Sequence, residues 1–424
     1  MTNSDNDMII QRNEYLAQLI AGKNNRLIKI VTGIRRCGKS FLLFELFRQH
    51  LLEQGVDEYH IIEFALDDLA NEPLHNPNAL LQAIKARITD NSLYYVLLDE
   101  IQLTSQFEDV LNSLLHIRNV DVYVTGSNSR FLSSDIITEF RGRGDEIRLY
   151  PLSFAEFVSA YDGSKYDAWK EYILYGGLPV ILTVDSEQKK ASYLRNLYES
   201  VYMIDIIDRH KVANQSDFME LAQVIASSIG SPCNPTRISK TFKSAKQTDI
   251  HHQTIANYLK YMQDAFIISK ADRYDVKGRK YIGTLAKYYF EDIGIRNAIL
   301  NFRQQEETHI MENVIYNELR IRGHNVDVGD VELRTRTAEG RQQRIHLEID
   351  FVVNQGSQRY YIQSALAIPT REKEEQETRS LRNVGDEFKK IIIVRSDIKP
   401  WRNEQGIVIM GLMDFLLNPN SLDF

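Results

Sequence analysis

Arg26-Leu27-Ile28-Lys29-Ile30-Val31-Thr32 is a short apolar run, and Gly33-Ile34-Arg35-Arg36-Cys37-Gly38-Lys39-Ser40 follows it directly. The second stretch fits G-x-x-x-x-G-K-[ST] at every fixed position. Glycines at 33 and 38 let the backbone curl so that its N–H groups converge on phosphate oxygens. Beyond it, Phe41, Phe44, Leu46, Phe47 and Leu51 recur at helical spacing as far as Gly55, which predicts a helix over Ser40–Glu53. Such a helix adds its positive N-terminal end to the phosphate cradle. The reading is that residues 33–40, with Ile34, Arg35, Arg36 and Cys37 between the glycines, hold a nucleoside triphosphate. Lys39 then reaches the β- and γ-phosphates, and Ser40 offers its hydroxyl to Mg²⁺. Cys37 is read as packing inside the loop rather than as a reactive thiol.

Outward from this loop, short apolar runs alternate with helical patterns. Tyr59–Leu66, Leu93–Leu98 and Val120–Thr125 read as strands, with a fifth at Ile147–Tyr150; Leu80–Ile88 and Phe107–Leu115 read as helices. Near-continuous apolar strands between helices predict a parallel sheet covered on both faces, a doubly wound α/β domain. The third run ends in Asp99-Glu100. A phosphate-loop enzyme needs a carboxylate at a strand end for the Mg²⁺ shell, which suits Asp99, and Glu100 is placed to polarise the attacking water. The fourth run ends in Thr125-Gly126-Ser127-Asn128-Ser129. Ligands bind at the C-terminal ends of such strands, so Ser127, and after it Asn128, is a candidate for the γ-phosphate or the water. A helix cap in a Ser/Asn-rich turn is the equal alternative. Arg141 and Arg143 precede the fifth strand; an arginine there either stabilises transition-state charge or is a solvated surface side chain.

Composition sets the outer limits. At 424 residues the chain has room for two to four domains. Lys+Arg number 51 against 58 Asp+Glu, a net charge of −7, which excludes a protein basic along its whole length. The average hides an island: Ser231–Gly283 holds ten Lys/Arg and four Asp/Glu, a net +6 that leaves −13 for the rest. Two cysteines, Cys37 and Cys233, make no disulfide framework. No apolar run is long enough for a membrane span, and MTNSDNDMII does not read as a signal peptide, so the expected location is cytoplasmic.

With these residues in hand, a resemblance emerges. The phosphate loop, Leu98-Asp99-Glu100-Ile101-Gln102 and Thr125-Gly126-Ser127 resemble the AAA+ superfamily of ATPases. The run Ile147-Arg148-Leu149-Tyr150-Pro151-Leu152-Ser153-Phe154-Ala155-Glu156-Phe157, then Gly176-Gly177-Leu178-Pro179, then Lys287-Tyr288-Tyr289-Phe290-Glu291-Asp292-Ile293-Gly294-Ile295-Arg296, narrow it to prokaryotic predicted ATPases with a C-terminal domain of unknown function. The resemblance implies ATP binding with hydrolysis, a winged-helix segment and a nuclease-like C-terminal fold. It also places Arg143 where an arginine finger would act on a neighbouring copy's nucleotide, hence in a homo-oligomer.

Residues 251–264 read as a helix, and Ala265–Tyr274 with Arg279–Gly283 as a ribbon after it. Helix then ribbon, in the basic island, is the pattern of a winged helix-turn-helix that contacts DNA backbone; a protein-packing module is the alternative. Strands are expected at His346–Val353, Tyr360–Ala365, Lys389–Val394 and Gly406–Met410. Glu312, Glu348, Asp350 and Gln363-Ser364-Ala365 resemble a PD-(D/E)xK nuclease core. Gln363 stands for an acid and Ala365 for the lysine, with no obvious local substitute, so this domain is expected to be inactive. His251 and His252 are adjacent and point apart on a helix, so they are no metal pair.

The expected organisation is therefore an ATPase core over 1–152, a helical connector over 153–213, a winged-helix-like part over 214–284 and a nuclease-like part over 285–424. The expected function is Mg-dependent ATP binding and hydrolysis by Lys39, Asp99, Glu100, Ser127 and Arg143, used as a conformational switch. An ATP-gated DNA-binding protein acting through 231–283 and a protein-interaction signalling ATPase are the alternatives.

Overall fold

The computed structural model describes residues 9–126, 142–246, 250–303, 306–336 and 341–424. The chain divides into two compact units. The first is Met1–Pro151 with Leu178–Val180 and Asp264–Phe266; the second is Leu152–Gly177, Ile181–Gln263 and Ile267–Phe424.

The first unit is a sheet of five parallel strands: β1 (Ile28–Thr32), β2 (Ile61–Ala65), β3 (Tyr94–Asp99), β4 (Val120–Thr125) and β5 (Gly144–Arg148), in the order β2-β3-β4-β1-β5. Its helices are α1 (Asn13–Ala21), α2 (39–53, with a π turn at Leu42–Phe47), α3 (Pro77–Arg87) and α4 (Phe107–Leu115). Every residue of β1 and β3 is buried, as strands sandwiched between helices require. Leu80 and Ile84 of α3 and Val110, Leu111 and Leu114 of α4 cover one face. On the other, Phe47 of α2 sets its ring 4.4 Å from Tyr123 and 6.5 Å, edge-on, from Tyr95. The expected doubly wound parallel sheet is present. The fifth strand begins at Gly144 rather than Ile147, because its pairing with β1 starts at Ile28↔Gly144. The chain leaves β1 for the far edge, β2, and returns, so a crevice opens at the carboxyl end of β1, where such sheets bind ligands.

The second unit carries α5 (Phe154–Ser159), α6 (Lys165–Tyr175), α7 (187–210), α8 (Gln215–Ser227), α9 (Pro235–Lys246), α10 (His252–Asp264), α11 (Ile293–Ile299), α12 (Glu307–Ile321), α13 (Arg371–Arg382) and α14 (Leu412–Leu417). Its strands are β6 (Ile268–Asp275), β7 (Lys280–Phe290), β8 (Asn325–Arg336), β9 (Gln342–Gln355), β10 (Gln358–Ala365), β11 (Lys389–Val394), β12 (Trp401–Arg402) and β13 (Val408–Gly411). They form one mixed sheet in the order β12-β13-β11-β10-β9-β8-β6-β7. The expected helix and ribbon at 251–283 are α10 and the β6–β7 hairpin. The hairpin is not a free wing, however. A two-stranded ribbon is marginal alone, and β6 pairs its open edge with β8 through Arg273↔Val328 to Asp275↔Asp330. The expected boundary at 284/285 falls inside β7.

Two of the stretches that carried the resemblance meet in this unit. Gly177 donates its N–H to Asp292 Oδ2 at 2.8 Å, and Asp292 Oδ1 accepts Ile295 N–H at 2.9 Å, capping α11. Gly176 has φ +79°, and a Cβ there would stand 2.3 Å from Asp292, so glycine is required. Arg296 is fully buried and donates to the Ala226 carbonyl at 2.8 Å; Asn297 donates to the carbonyls of Ile173 and Leu174, each at 2.9 Å. These motifs tie α6, α8 and α11 together through backbone carbonyls, an architectural role.

Candidate functional site

The phosphate loop leaves β1 at Thr32. Gly33 has φ +143°, and a Cβ there would lie 2.1 Å from the Leu149 carbonyl, so no other residue fits. Gly38, φ +102°, turns the chain into α2. Ile34 and Cys37 are fully buried, and the Cys37 thiol donates to the Leu149 carbonyl at 3.6 Å, which agrees with packing rather than reactivity. Arg35 is half-buried and Arg36 exposed. Arg12, which the sequence gave no reason to select, donates to the carbonyls of Cys37 (3.3 Å) and Tyr150 (2.7 Å) and so pins the loop.

Lys39 is buried, and its ammonium donates to the carbonyls of Gly33 and Ile34, both at 3.1 Å. Among the described residues no carboxylate pairs with it. A buried cation held only by neutral dipoles inside a loop of N–H groups is an anion site.

Asp99 ends β3, is 3% exposed, and accepts hydrogen bonds from Ser40 and Thr125. Burial raises its pKa, those two bonds lower it, and the charges of Glu100 and Asp67 raise it again. The Ser40 hydroxyl and the Asp99 carboxylate, distant in sequence, are thus brought into contact. Two hard oxygen donors at one point fit Mg²⁺, which binds through one or two protein oxygens plus phosphate and water. Among the described residues no group of three or more His, Cys, Asp or Glu could hold a metal.

Glu100 follows in a left-handed conformation (φ 51°, ψ 44°), rare for glutamate. Its N–H donates to Thr125 Oγ1 at 3.0 Å, and its carboxylate accepts from the Gln102 amide. Thr125 therefore orients both acids, a role that sequence reading passed over in favour of Ser127. The folded sheet makes β3 and β4 parallel neighbours, with Leu98 opposite Val124, so their next residues are adjacent. Ser127, Asn128, Ser129 and Arg141 lie outside the described residues.

Arg143 is exposed, and its carbonyl accepts the Ile28 N–H at 2.8 Å. It stands at the amino end of β5, one strand length, about 13 Å, from the end where the phosphate loop sits. It does not meet this chain's own loop.

The second unit gathers the other acids. Lys287 of β7 places its ammonium 2.9 Å from Glu312, 2.8 Å from Glu348 and 4.0 Å from Asp350. Tyr289 donates to Glu312 at 2.6 Å, and Ser364 N–H to Asp350 at 2.8 Å. Ala365 is buried in the core beside Leu381 and Ile392. The sequence offered no lysine to complete these acids; the fold supplies Lys287 from an earlier strand. The negative neighbours outweigh burial and raise the Lys287 pKa. Asp350 is pushed well above the usual carboxylate range, by burial first and then by Glu312.

The AAA domain family matches residues 25–158, and a domain of unknown function, DUF8612, matches 166–306. An uncharacterised protein of Haemophilus influenzae is 31% identical over 415 residues, covering 96% of this chain and 99% of its own. An uncharacterised protein of Methanocaldococcus jannaschii is 28% identical over 309 residues, 70% of this chain and 67% of its own. Among solved structures, the Walker-type ATPase of Pyrococcus abyssi is similar over 69% of this chain and 96% of its own, at 18% identity and a TM-score of 0.47. The Orc1 protein of Aeropyrum pernix, solved with DNA, covers 69% and 93% at 12% identity and a TM-score of 0.33.

Proposed function

We propose how the site works from the premise that the chain belongs to the family of the uncharacterised Haemophilus protein and is itself an AAA+-type ATP-binding and ATP-hydrolysing protein. The N–H groups of residues 33–40 and the Lys39 ammonium bind the β- and γ-phosphates. Ser40 and Asp99 are the residues that would hold Mg²⁺, and the ion would supply positive charge beside the phosphate oxygens. Glu100, freed from the Gln102 amide, takes the proton of the attacking water. Thr125 holds Asp99 and Glu100 in their relative places, and Ser127 remains a candidate for the γ-phosphate. Arg143 acts, if at all, on the nucleotide of a second copy in a homo-oligomer. The γ-phosphate state then biases the chain between two arrangements, as nucleotide switches do. The buried Lys39 ammonium, which has no carboxylate partner among the described residues, carries this reading. Lys39→Ala is expected to abolish binding of a fluorescent ATP analogue with the thermal transition of the protein unchanged. Binding at native affinity would remove the phosphate assignment.

We read 153–213 as a helical connector, 214–284 as winged-helix-like and 285–424 as a nuclease-like fold without activity. In that last part Lys287 sits among Glu312, Glu348 and Asp350, where a cation is needed, and Gln363 and Ala365 supply neither charge.

A second reading, DNA as partner through 231–283, draws on α9. It exposes Arg237, Lys240 and Lys243 while burying Ile238 and Phe242. Replacing those three cations is expected to weaken binding to duplex DNA and to flatten its salt dependence. A protein partner is the remaining alternative, marked by ATPase turnover that DNA leaves unchanged.

A further inference from the structure

Strands β8 and β9 run on beyond the rest of their sheet as a two-stranded ribbon. Its register is Glu332↔His346, Arg334↔Arg344 and Arg336↔Gln342, so these six side chains share one face. The opposite face is apolar. Val331, Leu333 and Leu347 pack on the core that holds Ile349, Val352 and Tyr361. The ribbon is thus an anchored arm, and its polar face is presented from a fixed backbone.

That face is cationic and open. The side chains of Arg334 and Arg344 are 77% and 68% exposed, and both lean on one acid, Glu332, at 3.5 and 3.6 Å. Arg336 is exposed at the outer end. The β6–β7 turn adds to it. Lys277 donates to the Glu332 carbonyl at 3.3 Å, and Arg279 beside it is exposed. Further in, the acids of the same face are already paired: Asp330 with Arg273 and, by a hydrogen bond, with His346, and Glu348 with Lys287. Among the described residues of this face, positive charge exceeds negative at the outer end, where Arg334, Arg336 and Arg344 stand against Glu332. Such a concentration, in a chain whose net charge is −7, calls for a polyanion.

We propose that the arginine face of the β8–β9 ribbon, with Arg334, Arg336 and Arg344, binds the phosphate backbone of duplex DNA. Two physical points select this partner. A two-stranded ribbon fits the major groove of B-form DNA, about 12 Å wide, whereas the major groove of A-form RNA is deep and narrow. Arginine forks pair with phosphate in bidentate fashion. The three arginines lie outside residues 231–283, though Lys277 and Arg279 of that stretch flank them, and the face uses nothing of the ATP site.

The test uses the full chain and a labelled 20-base-pair DNA duplex at four salt concentrations. For Arg334→Ser/Arg336→Ser/Arg344→Ser the expected result is at least tenfold weaker binding, with a log K against log salt slope shallower by roughly three. Its ATPase rate and thermal transition should equal those of the native protein. Arg371→Ser, which removes an exposed arginine on α13, is expected to change nothing. Four results would overturn the proposal. The triple variant may keep native affinity and slope, in which case any DNA binding belongs elsewhere, for instance to α9. The native chain may fail to bind the duplex even at low salt. An RNA duplex of the same sequence may bind more tightly than the DNA. Or Arg371→Ser may weaken binding as much as the triple variant, which marks the effect as general charge.

Discussion

Glu100→Gln is expected to bind ATP as the native protein does and to hydrolyse it about 10²- to 10⁴-fold more slowly, the usual contribution of a positioned general base. The amide keeps the shape and the hydrogen bond to Gln102 but accepts no proton. Glu100 is held in a left-handed conformation with its N–H on Thr125, so the backbone that aims it does not depend on its carboxylate. Binding depends on residues 33–40. Single-turnover hydrolysis and nucleotide binding, measured on the same sample, separate the two. A native rate in this variant removes Glu100 as the base. A loss of binding together with rate would mean that the substitution has disturbed Asp99 or Ser40 instead.

Lys287→Met is expected to destabilise the second unit by about 3 kcal/mol or more at pH 7.5, the range for breaking a buried ion pair from one side. Lys287 is 3% exposed, and Glu312 and Asp350 are buried against it. Its pKa is raised by Glu312, Asp350 and Glu348 against the opposing effect of burial. A lysine with a raised folded pKa gives its full stabilisation below its unfolded pKa, so the native protein keeps this contribution across the neutral range. Asp350 has the opposite sign. Its folded pKa is raised, so the folded state holds a proton that the unfolded chain gives up as pH climbs above the ordinary carboxylate range. Removing the ammonium strengthens that effect. The deficit of the variant should therefore shrink at pH 5, where Asp350 can be protonated. Urea unfolding followed at both pH values checks this. An equal deficit at both would assign the loss to packing rather than to charge.

Both residues show what a linear reading reaches. Gly33–Ser40 was legible because its chemistry is local: the glycines, the lysine and the helix that follows lie within one short stretch, and the backbone alone brings them together. β1, β3 and β4 were legible because strands buried on both faces are nearly continuous apolar runs, and the exceptions in β1 and β4, Lys29 and Asp121, pair with each other inside the sheet. Strand β8 was missed because only one of its faces is apolar over much of its length, and Asp330, Glu332, Arg334 and Arg336 break the run. Thr125 was missed because its worth depends on which strand lies beside β4.

The sequence by itself determined that a phosphate-binding loop opens a parallel sheet, that Asp99 and Glu100 close the third strand, and that positive charge is unevenly spread. Tertiary structure alone decided three further things. It made the β6–β7 hairpin part of the eight-stranded sheet, since an unpaired ribbon edge is satisfied only by a neighbour such as β8. It brought Lys287 to Glu312, Glu348 and Asp350, because buried carboxylates need a cation and the sheet order, not sequence distance, determines which one is near. And it turned Arg334, Arg336 and Arg344 to one open face, because strand register sets which side chains share a surface.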